Sequence, residues 1–326
     1  LYRHPQVRAV IDEGRSFIRR DTKRYDIIQA SAVFGRMAPA AGAFTLSENN
    51  LYTVEAFTDY WNHLTDDGIL TISRFIFERE TLRLVSLGLA LLQQQGVADP
   101  AAHIAVVRER GLANFMLKRT PFTAEELQQL RDGMADLEFQ EVYLPDRRDG
   151  DGAFHELIQA NGSPDFHASF PFDVRPVDDD RPFFYYMLKP ADFIGLFTFP
   201  EQGKFEDRAV MTLRNLLVVV SLSVLVFLLL PLLFWQKAGL QESGSRWRMF
   251  YFACLGLGFM FIEIGLLRRF ILFLGPPIYS LAVILCSLLV CSGFGALLSA
   301  RLATDRLRRS LPLVLLALVL LSLWYV

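Results

Sequence analysis

The sequence predicts an α/β domain followed by an all-α bundle of membrane-crossing helices. Three observations carry that prediction. The stretch Tyr25 to Arg74 reads as strand, long loop, amphipathic helix, tight turn and strand. Up to about residue 210 the composition is that of an ordinary soluble domain, and beyond it long runs carry no charge. The 33 Lys and Arg against 35 Asp and Glu give a net charge of −2, without the basic domain that a nucleic-acid binder would show.

Tyr25 to Ala30 is a short apolar run with Asp26 near its start. Val54, Phe57, Trp61 and Leu64 recur at the spacing of one helix face. Asp66-Asp67-Gly68 signals a turn, and Ile69 to Ile72 begins a second apolar strand. Two buried strands joined by a crossover helix are parallel and right-handed, so this is a βαβ unit of an open sheet. Ligands of such sheets sit past the carboxyl ends of the strands, which puts the loop Ser31 to Asn50 at the mouth of the site.

Upstream, Val7 to Ile11 reads as a strand running into Asp12-Glu13-Gly14 and a short helix through Arg20. An acid at a strand tip can accept hydrogen bonds from an amine or hydroxyl; equally, Asp12 and Glu13 can cap the helix that follows. Downstream, Glu78 to Gln95 is a helix with the stripe Leu82, Val85, Leu89, Leu92, ended by Gly96. His103 to Val107 and Leu112 to Leu117 are strands. Thr123 to Glu126 is a capping box opening a helix to Leu137, and Phe139 to Leu144 is a last strand. The loop Leu144 to Gly152 lacks the spacing and final Glu of a calcium loop. His4, His63, His103, His155 and His167 show no ligand spacing, so no metal is expected.

Four stretches resemble a known family. Asp12-Glu13-Gly14-Arg15, YDIIQ from Tyr25, LSENNLYTVEAF from Leu46 and LTDDGILTISR from Leu64 resemble the second half of a spermidine-synthase-type Rossmann domain. DDRPFFYYML from Asp179 and GFMFIEIGLLRRF from Gly258 resemble the C-terminal parts of large membrane-embedded bacterial proteins of that type. The resemblance implies a methyltransferase-like sheet with an antiparallel finish. Its first two strands, which carry the glycine-rich loop and the ribose acid, are lacking here, so the chain starts at what would be the third strand. It also implies decarboxylated S-adenosylmethionine, or S-adenosylmethionine, as a substrate, and no metal. By the same likeness Asp12 faces adenine, Glu13 and Gly14 shape its loop, and Gln29 and Ser31 lie on the cofactor side. The family's activity is transfer of an aminopropyl group to a polyamine by in-line displacement. Its acid-Ser-Ser-acid stretch follows the YDVI-type strand, and here the two acid positions are Ser31 and Phe34, neither of which can act as a base or pair with an ammonium. Glu48 is the acid nearest the mouth that could substitute as base or amine ligand, or it caps the next helix. Glu55 suits an early-helix dipole partner. Tyr52 walls the pocket or packs in the core.

Asp178-Asp179-Asp180-Arg181-Pro182 and the aromatic run Phe183 to Tyr186 read as a clasp between the domain and the membrane, the aromatics reaching the membrane interface, or as a contribution to the pocket rim. The division expected is residues 1–190 for the α/β part, 191–214 for a linker and 215–326 for the membrane part. Leu216 to Trp235, Phe250 to Leu267 and Ile278 to Ala300 are spans, with Pro231 a kink site, and Leu311 onward is a fourth cut short of the roughly 20 residues a span needs. The missing start methionine and that short last run suggest a fragment.

Cys254, Cys286 and Cys291 all lie in the apolar half and read as buried small apolar residues. Ser287, Cys291, Gly295 and Ser299 form a small-residue seam for close helix packing, including a homo-oligomer. Glu263 inside a span costs roughly 2.5 kcal/mol or more when ionised, and marks a proton path or an interhelical hydrogen bond. A nucleoside-using domain belongs on the cytoplasmic face of a bacterial inner membrane, although the Lys and Arg of the loops lean weakly the other way. Three readings follow: a membrane-anchored aminopropyltransferase; the same nucleoside fold doing methyl transfer or ligand sensing; and a transport or scaffold module with Glu263 as its working group.

Overall fold

Five strands pair in one mixed sheet, ordered β1-β2-β4-β3-β5, in the computed structural model. It describes residues 4–31, 48–74, 79–189, 207–231, 244–274, 277–301 and 312–321. The elements of the α/β part are α1 (Gly14–Arg20), β1 (Tyr25–Ser31), α2 (Val54–Asn62), β2 (Leu64–Arg74), α3 (Glu80–Gln94), β3 (Ile104–Glu109), β4 (Leu112–Lys118), α4 (Ala124–Asp136), β5 (Gln140–Tyr143), α5 (Ala153–Gln159) and α6 (Pro164–Ser169). The chain separates into two compact units, residues 1–228 and 229–326.

The βαβ unit is present. β1 and β2 are parallel, with Ile28 opposite Leu70 and Ser31 opposite Ser73, and α2 crosses between them. The finish is antiparallel, as β4 pairs with both β2 and β3, and β3 with β5. Asp66-Asp67-Gly68 does not end a loop before β2. It lies inside the strand as an irregularity, where the register jumps between Tyr25 and Ile27. Gly68 is required there because a Cβ would come 2.9 Å from the Tyr25 carbonyl oxygen.

The strand expected over Val7 to Ile11 is absent. These residues are exposed and carry no regular structure. An apolar run becomes a strand only when a neighbour takes its backbone groups, and none of the described strands pairs with it. The outer edge of β1 is likewise unpaired among the described residues, and Ile27 beside it is 62% exposed.

The core forms where the buried faces of the sheet, α2 and α3 meet: Phe57, Trp61, Leu70, Ile72, Leu82, Val85, Leu89, Phe115 and Leu117. Each such side chain contributes roughly 1.5–3 kcal/mol by leaving water. α3 is buried far beyond the predicted stripe, with Thr81, Leu84, Ser86, Leu87 and Leu91 also inside. The segment 183–187 covers its second side, as Phe184 is fully buried. Gly96 takes the expected left-handed conformation at φ 70° and closes α3. The Thr123–Glu126 capping box is formed in full.

The remaining helices are α7 (Asp207–Val224), α8 (Ser245–Leu274), α9 (Pro277–Ala300) and a short apolar helix, Pro312–Leu321. α7 starts inside the predicted linker. It widens to a π-helical turn at Leu225–Leu229, just before Pro231, whose ring nitrogen cannot donate to the preceding turn. Trp247–Leu267 and Tyr279–Ala300 are long and apolar enough to cross a membrane, with mean hydropathies of 2.0 and 2.5. The first and fourth expected spans are shorter apolar helices within the described residues. α8 and α9 meet at their hairpin end, where the buried Ser280 donates its hydroxyl hydrogen to the Phe270 carbonyl at 3.1 Å. Glu263 is half-buried, on the same helical face as Leu266, Leu267 and Phe270. The seam Ser287, Cys291, Gly295, Ser299 is exposed, and a Cβ on Gly295 would touch nothing. The three cysteines are exposed on the single chain rather than buried, because neighbouring helices cover little of α8 and α9.

Candidate functional site

Both β1 and β2 end at one edge of the sheet, and the helix that follows each strand begins there. That edge is where an open α/β sheet holds its ligand. β1 ends in Ser31 and β2 in Arg74. The segment from Glu48 to Thr53 approaches it before α2.

The residues before α2 are strapped down. The Asn49 N–H donates to the Pro182 carbonyl at 2.7 Å, and the Val54 N–H to the Val177 carbonyl at 3.0 Å. Thr53 is the N-cap of α2: its hydroxyl oxygen accepts from the Ala56 N–H at 3.1 Å and its hydroxyl hydrogen is donated to Asp179 at 2.7 Å. Glu55, in the first turn, accepts from the Asp179 N–H at 3.0 Å. Buried Arg15 grips Asp179 through both terminal nitrogens, at 2.6 and 2.8 Å, and donates its Nε to Asp59 at 2.7 Å. Burial raises the Asp179 carboxyl, but the Arg15 and Thr53 hydrogen bonds and the Arg15 charge outweigh it and hold the group below the usual carboxylate range. Asp179 is therefore the tongue of a clasp.

The start of α3 is built otherwise. Arg79 stands at its N-cap and provides no side-chain cap. Its guanidinium lies 3.3 Å from the Phe172 ring centroid. Along β2 the buried positions alternate: Gly68, Leu70, Ile72, Arg74. Arg74 thus points inward like a core residue, 3% exposed. Its Nε donates to Glu80 Oε2 at 2.5 Å, which ties the guanidinium to the first turn of α3. Its Cζ sits 5.6 Å from the Tyr52 ring centroid and 5.1 Å from that of Tyr185. Burial pushes the Glu80 carboxyl up, with Arg74 opposing. Arg74 lies close enough to act on the Tyr52 phenol, which burial raises. Yet no hydrogen bond of normal geometry joins them, and Arg74 Nη1 and Tyr52 Oη are both buried without a partner. One turn along α3, buried Arg83 donates Nη1 to the carbonyls of Phe183, Phe184 and Tyr186 at 3.1, 2.6 and 2.8 Å. Burial pulls its guanidinium down to about 10, with Asp173 opposing.

The sequence-predicted residues divide among these features. Asp12 does not stand at a strand tip, since the strand before it is missing. Its carboxylate pairs with Arg20 and accepts from the Glu13 N–H at 2.9 Å. Glu13 is the N-cap of α1, accepting from the Arg15 and Ser16 N–H groups, and Gly14 opens that helix. Gln29 and Ser31 are exposed at the β1 end, joined by Gln29 Nε2 donating to Ser31 Oγ at 2.8 Å, a neutral pair without a base. Glu48 is half-buried at the mouth. Tyr52 packs its ring into the core, fully buried and 4.7 Å from that of Phe184. Phe34 lies outside the described residues, and Glu263 belongs to the other unit.

Sequence reasoning missed Arg74, Glu80 and Arg83. The signal for Arg74 was an arginine in step with Leu70 and Ile72 on the inward face. Among the described residues no group of three or more His, Cys, Asp or Glu side chains could hold a metal ion. No family model, curated protein or solved structure matches the chain.

Proposed function

We propose that this chain is a membrane-anchored transferase-type protein that takes an S-adenosyl nucleoside over the carboxyl ends of β1 and β2. The observation that carries the reading is the parallel β1–α2–β2 unit, which brings Ser31, Arg74 and the segment Glu48–Tyr52 to one edge. Two helices of membrane-spanning length supply the anchor, and the soluble part faces the cytoplasm, where the nucleoside is made. The resemblance in YDIIQ, LSENNLYTVEAF and LTDDGILTISR supports aminopropyl transfer from decarboxylated S-adenosylmethionine to a polyamine. Glu48 would then take the proton of the attacking amine.

Ser31 favours a second reading of the same site. Among the described residues the end of β1 itself offers a hydroxyl paired to an amide, not a carboxylate, so β1 brings no group to hold an ammonium or remove its proton. Methyl transfer from S-adenosylmethionine, or sensing of the nucleoside without turnover, needs no such base. The test is calorimetric titration of the chain in lipid nanodiscs with each nucleoside, followed by product analysis with putrescine. The first reading expects binding of the decarboxylated compound and formation of spermidine, and loss of that product in Glu48→Gln. Binding of S-adenosylmethionine without an aminopropyl product selects the second. No heat with either nucleoside removes both.

A further inference from the structure

We infer that the first turn of α3, with Arg74 and Tyr52, is a binding site for the carboxylate of a small substrate. Two groups with hydrogens to give, Arg74 Nη1 and the Tyr52 hydroxyl, meet there unpartnered, while Glu80 is engaged by Arg74 Nε. The guanidinium of Arg74 has hydrogens to give and no lone pair to receive, and its Nη1 is buried and unpartnered. The Tyr52 hydroxyl is buried and unpartnered beside it, on a ring that the Phe184 contact fixes. The Nε bond to Glu80 holds the guanidinium at the positive end of a helix of 15 residues. The N-cap side chain of that helix brings no acceptor to its first turn. Arg74 spends one edge of its fork on Glu80 and keeps Nη1 for a second oxygen. A carboxylate supplies two oxygens, one for Nη1 and one for the Tyr52 hydroxyl.

This inference rests on the nucleoside reading in one respect: it names which nucleoside fits. S-adenosylmethionine carries the carboxylate and its decarboxylated form does not. The site therefore favours the former, and with it the second reading of the function.

The experiment uses the full chain in nanodiscs, with sodium acetate and inorganic phosphate as probes against chloride at constant ionic strength, and thermal unfolding as the readout. Acetate is expected to raise the midpoint saturably. Tyr52→Phe, which keeps the ring, is expected to fold and to abolish that rise. In calorimetry S-adenosylmethionine is expected to bind at least about tenfold more tightly than the decarboxylated compound, an advantage that Tyr52→Phe shrinks about fivefold. The double variant Arg74→Met/Glu80→Leu removes the ion pair without stranding either charge, and is expected to respond to neither probe. A saturable acetate response lost in Tyr52→Phe, with neither nucleoside bound, supports the carboxylate site and removes the nucleoside reading. Equal binding of both nucleosides, unchanged in Tyr52→Phe and without an acetate response, overturns the carboxylate site and leaves the nucleoside reading standing. Phosphate binding more tightly than acetate overturns the assignment to a carboxylate. No response to any probe overturns it too, leaving the donors to a structural water.

Discussion

α2 and α3 begin at the same edge of the same sheet, each after a parallel strand, yet their first turns are finished in opposite ways. α2 is met by its own chain: Thr53 caps it, Glu55 lies in its first turn, and Asp179 is brought to it by Arg15. α3 has an arginine at its cap position and a second arginine, Arg74, bound into its first turn with one nitrogen unused. Both helix starts hold an acid, Glu55 at α2 and Glu80 at α3. Only the second keeps a buried unpartnered donor beside it, which is where the proposed carboxylate would sit. The long clasp 173–186, which touches both helices, completes the first and only supports the second.

The largest expected effect tests that support. Arg83→Met leaves four carbonyls of the clasp, those of Asp173, Phe183, Phe184 and Tyr186, without their donor and is expected to cost about 3–5 kcal/mol in urea unfolding of the α/β part. A cost under about 1 kcal/mol would mean that the clasp is held to α3 by packing alone. Next, Arg15→Met takes the buried cation from Asp179 and Asp59, leaving Thr53 on the first carboxylate and Arg19 3.9 Å from the second. Both retain partial contact with water, so the expected loss is about 2 kcal/mol, below that of a fully buried pair.

The same joint has a pH signature. Arg15 and Thr53 hold the Asp179 carboxyl below its ordinary value. Its contribution is therefore fully present above the unfolded value, near 4, and is lost as pH falls through the lower folded value. Unfolding curves between about pH 5 and 2 are expected to show a steeper acid loss in the wild type than in Asp179→Asn. Equal slopes would place the acid sensitivity elsewhere.

Two neighbouring substitutions at the start of α2 are expected to differ in sign. Thr53→Ala removes the α2 cap and is expected to destabilise by about 1–2 kcal/mol. Tyr52→Phe, one residue earlier, removes a buried hydroxyl without a partner and is expected to be neutral or to stabilise by up to about 1 kcal/mol. A loss of that size in Tyr52→Phe would show that the hydroxyl is already satisfied in the unliganded protein.

Much of the fold was legible because its signals are local. The periods of β1, α2 and β2, the capping box at Thr123 and the stop at Gly96 each depend on residues within a few positions. Val7 to Ile11 shows where local signals end: an apolar run says strand, but only a neighbour makes one. α3 displays a stripe in sequence and is buried nearly all round in space, since residues 183–187 cover its outer side from a hundred positions away. The candidate site was harder to read for the same reason. Asp179 reads in sequence as part of a clasp to the membrane, but the groups it holds, Thr53 and Arg15, belong to the α/β part, and Arg15 lies 164 residues upstream. Arg74 kept step with Leu70 and Ile72, yet an arginine at a strand end ordinarily marks the return to solvent. Only Glu80, Tyr52 and Tyr185 closing around it turn that residue inward.

The most direct measurement is hydrogen exchange on the full chain in nanodiscs, with and without saturating S-adenosylmethionine. Exchange is expected to slow over residues 80–83, at the start of α3, and to stay unchanged over 54–57, at the start of α2. Unchanged exchange at α3 in the presence of bound nucleoside, or protection appearing at α2 instead, would contradict this expectation.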